Sequence, residues 1–267
     1  MSKDIRLETT RVPVYALDGS TKEEVEVQIP KADPLRDDLI LRAWIVAQAN
    51  SAQPQGRSPE AGRGVSAISW NTGRGMSRVP RMVSGRAAFI SSAKGGHLAH
   101  PPRAEEITKR KMNKKERALA NLHALAASFD LEAVKSRNHL IPEKMTSLPI
   151  VVDEKIEDID KTTEAYTVLG NLGLSQDVER AKDGRKVKSG KGKMRGRGKR
   201  SPRSLLLVVS AKEAKLRRAA KNMVGVEVKT PEELGIPFLA PGGKPGRLIV
   251  WSRPALERAE QKWLKSQ

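Results

Sequence analysis

No cysteine occurs among the 267 residues, so the chain can build no disulfide, thiolate metal site or thiol nucleophile, and a reducing compartment is expected. Aromatic side chains are scarce at 3%, which removes the stacking platform that binders of single-stranded nucleic acid rely on. Apolar runs are short: residues 205–209 fall far below the ~20 residues that a bilayer-spanning helix needs. The opening MSKDIRLETT lacks the apolar core of a signal peptide, so a soluble, cytoplasmic protein with no membrane contact is expected. The most informative shortage is of acid in two places. Residues 55–103 hold one acid, Glu60, against eight Arg and Lys, and residues 184–203 hold none against ten. These stretches account for +7 and +10 of the formal charge of +19, which leaves the other 198 residues nearly neutral.

What fills those stretches is cation and glycine. The first carries Arg57, Arg63, Arg74, Arg78, Arg81, Arg86, Lys94 and Arg103. The second carries Arg185, Lys186, Lys188, Lys191, Lys193, Arg195, Arg197, Lys199, Arg200 and Arg203, interleaved with Gly184, Gly190, Gly192, Gly196 and Gly198. Solvated helix faces alternate Lys with Glu, whereas unpaired cations on a Gly-rich backbone suit close approach to a polyanion. All eighteen are candidate contacts to nucleic acid. In residues 55–103, Gly, Pro and Ser supply nineteen of forty-nine positions, and neither helical nor strand periodicity persists. Ordering that many residues costs on the order of 50–100 kcal/mol at ~1–2 kcal/mol each. The scattered Val65, Ile68, Trp70, Met76, Val79, Phe89 and Ile90 do not offset that cost. The segment is therefore expected to be mobile until a partner orders it, and two legs of about 25 residues at ~3.3 Å per residue reach roughly 80 Å.

Outside these stretches the pattern is α/β. Residues 12–17 and 24–28 alternate around Asp18-Gly19-Ser20 and predict a hairpin. Asp33-Pro34 predicts the start of a helix with Leu35, Leu39, Ala43 and Val46 on one face. Asn113-Lys-Lys-Glu116 reads as a capping box before a stripe of Ala118, Leu122, Leu125, Ala126 and Phe129. Apolar strands are expected at 148–152, 205–209, 224–228 and 248–251. Between them a helix buries Ile156, Ile159, Tyr166, Leu169 and Leu172 and ends near Gly170 and Gly173, and another runs from a capping box at Ser210-Ala-Lys-Glu213 to Met223. Thr230-Pro-Glu-Glu233 caps a short helix, and a last helix covers 254–265. Four apolar strands joined by helices predict a doubly wound, mostly parallel four-stranded sheet flanked by helices. The expected organisation is one globular domain over 1–267, with an extended internal loop at 55–103 and a second basic loop at 184–203.

Motifs for catalysis or cofactors are weak. Gly62-Arg-Gly64-Val-Ser-Ala67 matches the loose dinucleotide pattern, but no strand precedes it. No phosphate-binding loop with its lysine is present, so no cofactor is expected. His97 and His100 lack a third ligand at suitable spacing, and no metal site is assigned. His123 and His139 read as satisfied or solvent-facing residues. The acidic pairs Asp37-Asp38, Glu105-Glu106 and Glu232-Glu233 read as helix starts complementing the dipole. No zinc finger, basic zipper or recognition helix supports sequence-specific duplex DNA binding. Recognition of structured RNA by shape and phosphate fits what remains.

Several short stretches, in this order and spacing, resemble the universal fourth protein of the large ribosomal subunit in its archaeal form. They are Pro34-Leu-Arg-Asp-Asp-Leu-Ile40 through Ala47-Gln-Ala-Asn50, Gly73-Arg-Gly75 with Val79-Pro-Arg81, Ala99-His-Pro-Pro-Arg103, Asn113-Lys-Lys-Glu-Arg-Ala-Leu-Ala120, and Ala240-Pro-Gly-Gly-Lys-Pro-Gly-Arg-Leu248. The resemblance covers essentially the whole chain. The long C-terminal extension of eukaryotic members is absent, so an archaeal source is expected.

The resemblance implies a non-catalytic protein that binds large-subunit ribosomal RNA, sits beside other large-subunit proteins, and threads an internal loop to the nascent-peptide exit tunnel. By position the loop tip falls at Trp70, Asn71, Gly73, Arg74, Gly75, Met76 and Arg78, with Arg74 and Arg78 as backbone contacts. The alternatives are a free-standing RNA chaperone using the same segments, and a nucleotide-dependent enzyme on the doubly wound core.

Overall fold

The computed structural model describes residues 5–142, 145 and 147–265; the first four residues of the N-terminal stretch read above lie outside them. The chain divides into two compact units, residues 1–47 with 111–267, and residues 48–110.

The larger unit is built on a six-stranded sheet. β1 (Ile5–Tyr15) and β2 (Thr21–Ala32) form the expected hairpin, turned at Gly19 in the left-handed region (φ +82°). Its strands run further than the apolar alternation, because their outer halves pair by charge, Arg11 with Glu26 and Lys31 with Glu8. Helix α1 (Asp37–Ser51) follows and leads into the smaller unit, whose only strands are β3 (Ile68–Ser69) and β4 (Pro80–Arg81) among the described residues. The larger unit resumes with α2 (Lys114–Phe129), α3 (Leu131–Ser136), β5 (Ile150–Val152), α4 (Thr162–Asn171) and α5 (Ser175–Asp183). It continues through β6 (Lys186–Val187), β7 (Lys199–Arg200), β8 (Leu206–Val208), α6 (Leu216–Ala220), β9 (Glu227–Lys229), α7 (Ile236–Leu239), β10 (Ile249–Ser252) and α8 (Arg253–Lys265).

Strand order is β2-β1-β5-β10-β8-β9, antiparallel only between β1 and β2. The parallel, mostly apolar sheet matches the sequence reading, but the count rises from four to six because the hairpin joins through Val14 and Tyr15 beside Val151 and Val152. Strand periodicity splits the core in two. Ile150, Val152, Leu205, Leu207, Val209, Leu248 and Val250 face α4, α5 and α6, while Val151, Leu206, Val208, Ile249 and Trp251 face α1, α2 and α8. Strands buried on both faces must be apolar throughout, which is why β5, β8 and β10 are short apolar runs without alternation. Trp251, Phe129 and Trp263 pack tilted or edge to face at 5.7–6.4 Å inside the second half, and Trp44 packs against it, so three of the four tryptophans serve the core rather than a ligand.

Several boundaries differ from expectation. Helix α1 starts at Asp37 rather than Pro34, with Asp37 and Asp38 in its first turn as expected for the dipole. Asn113 does precede α2 but its side chain makes no cap hydrogen bond, and Glu116 pairs with Arg42 instead. The buried face of α2 is Ala120 with residues 123–128, including His123, while Ala118 is exposed; the small alanines let both flanks approach. Tyr166 is exposed, and the single helix expected there is a 3-10 turn (Glu154–Asp158) followed by α4. Glu105-Glu106 and Glu232-Glu233 lie in turns, not at helix starts. Among the described residues no helix is long and apolar enough to cross a membrane.

Candidate nucleic-acid interface

The smaller unit is a long arm folded back on itself. Nested pairs close it: Asn50 receives the Arg110 amide at 2.9 Å and donates to its carbonyl at 3.1 Å, the Arg57 amide donates to Pro102 O at 2.9 Å, and Ile68 and Ser69 pair with Arg81 and Pro80. Glycine permits the crossings. A Cβ on Gly62, which has φ +85°, would strike Gly96, and one on Gly96 would strike the Ile90 carbonyl. The loose dinucleotide pattern at Gly62 is thus a backbone crossing in the arm.

The nesting closes on Trp70, Asn71, Gly73, Arg74, Gly75, Met76 and Arg78. Asn71, Arg74, Met76 and Arg78 are exposed, and the Arg74 guanidinium lies 5.7 Å from the Trp70 ring.

Apart from Arg74, the cations of residues 55–103 fall into two groups. Arg57 donates to Gly96 O, Arg81 to Gly85 O at 2.9 Å and to Ser77 Oγ, and Arg86 to Lys94 O at 2.5 Å. These three hold the arm's own backbone. Arg63, Arg78, Lys94 and Arg103 are exposed and make no side-chain hydrogen bond or ion pair among the described residues. His97 is half-buried and His100 exposed in the same arm.

The second basic stretch is a β-ribbon. Lys186 pairs with Arg200 and Val187 with Lys199, and a 3-10 turn (Lys191–Arg195) flanked by Gly190 and Gly196, both at positive φ, closes the end. All ten cations are exposed, and among the described residues only Arg203 makes an ion pair, with Glu227 at 2.5 Å. The other nine have no acid partner among the described residues. Packing them at this density without counter-charge opposes compaction unless an anion arrives.

Beneath the ribbon lies a buried polar cluster that sequence spacing did not reveal. Asp177 of α5 is fully buried and accepts from Ser204 Oγ at 2.6 Å, Arg180 Nε at 3.0 Å, the Leu140 amide at 3.1 Å and His139 Nδ1 at 3.1 Å. Arg180 also donates to Arg203 O at 3.0 Å. The residues before the ribbon are thereby tied to those after it.

Burial alone would raise the Asp177 carboxyl, but the hydrogen bonds from His139, Ser204 and Arg180 outweigh it and hold the group well below the usual carboxylate range. Burial lowers His139, so its imidazole is neutral and donates Nδ1–H to Asp177. Arg247, fully buried, donates to Ser204 O, Leu205 O, Phe238 O and Glu227. Nearby, burial and the Arg247 and Arg180 charges lower Arg137 to about 10, and it donates to the carbonyls of Pro241, Lys244 and Pro245.

Open α/β sheets take ligands outside the carboxyl ends of their strands. Here Glu157 occupies that place, accepting the Ser210 amide at 2.7 Å, Ser210 Oγ at 2.6 Å and Ser252 Oγ at 2.5 Å. A carboxylate between β8 and β10 repels a nucleotide's phosphates. It also takes Ser210 from the helix cap expected there, and the helix shortens to α6.

The profile of the Ribosomal protein L4/L1 family matches residues 25–262. The chain belongs to this family. Archaeal proteins are among its relatives: it is 44% identical over 250 residues to large ribosomal subunit protein uL4 of Methanothrix thermoacetophila, covering 93% of this chain and 98% of the relative. It is 42% identical to the proteins of the same name from Methanococcus aeolicus (95% and 100% covered) and Methanocaldococcus jannaschii (94% and 98%). This L4-family chain is of the archaeal type. The stretch from Ala240 to Leu248 that carries part of the family likeness is a close-packed turn, since a Cβ on Gly246 would strike the Ala133 carbonyl and one on Gly243 would come within 2.7 Å of Leu41.

Proposed function

We propose that this chain is a structural constituent of the large ribosomal subunit in the cytoplasm. It grips large-subunit ribosomal RNA with its two cationic arms and stabilises that RNA's fold; it has no catalytic role. Neighbouring ribosomal proteins share its surroundings. The carrying observation is the ribbon with its leading arginine, residues 185–200. Nine exposed cations without an acid stand on a root locked by Asp177, which suits a fixed lattice of phosphates. The longer arm reaches inward, and its closing residues Trp70, Asn71, Gly73, Arg74, Gly75, Met76 and Arg78 line the nascent-peptide exit tunnel, with Arg74 and Arg78 on the RNA backbone. The unpaired Arg63, Lys94 and Arg103 act along its length, and Arg57, Arg81 and Arg86 shape the backbone that carries them.

Sedimentation tests this reading. Tagged protein should co-migrate with large subunits after a high-salt wash; release into the free pool would instead favour an RNA chaperone.

A further inference from the structure

The shortening of α6 leaves a consequence on the surface. Had residues 210–223 formed one helix, its basic side chains would have spread around a cylinder. Instead the chain turns at 210–215, and Lys212, Lys215, Arg218 and Lys221 gather with Arg217 and Lys229 around an open groove of about 800 Å³. Its floor is Val226, Val228 and Phe238, and the Lys229 ammonium sits 4.3 Å from the Phe238 ring.

Acids offset this groove only in part: Asp160, Glu213 and Glu227 line it against six Lys and Arg. Arg217 and Lys229 share Glu233 and are half-buried. Lys215 reaches Asp158 only at 3.8 Å and Arg218 reaches Asp160 at 4.0 Å, with both partners largely exposed, a geometry in which ion pairs contribute about 0–1 kcal/mol. Lys212 and Lys221 have no ion pair among the described residues. The four exposed cations are thus available to an outside anion.

The groove is continuous with the root of the ribbon. Glu227 lines the groove and binds Arg203, and the carbonyl of Gly225, two residues before it, accepts the Ser204 amide at 2.9 Å. The ribbon's root and the groove thus share Glu227.

We infer that this groove is a third RNA-binding surface, on the globular unit itself, which holds the phosphodiester backbone of the same RNA that the ribbon grips, through Lys212, Lys215, Arg218 and Lys221. The inference rests on the proposed ribosomal-RNA role. Phosphates bridge the paired rims, and the Phe238 floor offers an apolar face without base specificity.

The absence of native cysteine makes the test direct. Two single-cysteine full-length chains, Asn222→Cys beside the groove and Ser189→Cys on the ribbon, are derivatised with iron-EDTA and assembled into large subunits, and hydroxyl-radical cuts in the RNA are mapped. Cuts from position 222 are expected, on RNA segments close to those cut from position 189. Cuts from 189 with none from 222 would overturn the groove and leave the ribosomal reading standing. Silence from both would sink both. A second measurement uses Lys212→Ala, Lys215→Ala, Arg218→Ala and Lys221→Ala combined. The slope of log affinity against log salt for a large-subunit RNA fragment should flatten by about 1 per lost phosphate contact, while the melting curve, set by buried groups, stays in place. An unchanged slope would contradict the inference.

Discussion

The hydroxyl of Ser204 donates a 2.6 Å hydrogen bond to the buried carboxylate of Asp177, and this bond closes the base of a cationic ribbon whose legs leave from α5 and return to β8. A buried carboxylate with partners on both legs fixes the direction in which the ribbon projects. Removing it leaves His139, Arg180 and Ser204 facing an empty place.

Asp177→Ala should therefore destabilise the larger unit by about 3–5 kcal/mol, the usual cost of leaving a buried charge partner behind. Ser204→Ala, which removes one neutral donor, should cost only about 1–3 kcal/mol. Urea denaturation of each variant checks the order; equal, negligible effects would show that the cluster carries no weight.

Acid should weaken the fold in two stages. His139 is buried neutral with its pKa lowered in the folded chain, so its stabilising contribution is complete above the unfolded value near ~6.5 and declines as pH falls below it. Asp177, whose folded pKa is also depressed, contributes fully above ~3.9 and loses that contribution as pH falls further toward its folded value. Melting temperature should fall steadily from pH 7 toward pH 4. His139→Gln should remove the upper stage and keep the lower; an unaltered profile would dissociate His139 from the effect.

Gly96→Ala places a methyl group against the Ile90 carbonyl, where the two legs of the long arm cross near Gly62. Limited trypsin digestion should cut faster at Arg57 and Arg86, while the melting temperature of the sheet unit stays unchanged. Uniform loss of both would mean that the units do not fold separately.

Excising residues 55–103 and joining the ends with a short Gly-Ser linker should leave a cooperative thermal transition, since both halves of the sheet core lie outside that segment. A non-cooperative melt would contradict this division. Assembly into subunits should nevertheless fall.

Much of this architecture was readable from residue order. Leu206–Val208 and Ile249–Ser252 are apolar without alternation because helices cover both faces, and that pattern needs no partner to be recognised. The hairpin's union with the sheet was not readable, because Val14 meets Val151 across 137 positions and no local signal records it. The cap at Ser210 failed for a similar reason: Glu157, 53 residues earlier, takes the same hydroxyl in a 2.6 Å hydrogen bond. The cationic stretches stood out by composition, yet composition could not separate Arg57, Arg81 and Arg86, which clip backbone carbonyls, from Arg63, Arg78 and Lys94, which face solvent. Nor could it find Arg247, whose partners Ser204, Leu205, Glu227 and Phe238 converge only in three dimensions.

The claim on which the account turns is that exposed, acid-free cations bind RNA phosphates. Its most direct test is the salt dependence of affinity for large-subunit RNA, compared between the full chain and one in which the nine unpaired ribbon cations are replaced by glutamine. The full chain should lose several orders of magnitude in affinity between ~50 and ~200 mM salt, and the substituted chain should show a much shallower slope. A full chain whose affinity hardly changes with salt, or two chains with the same slope, would contradict it.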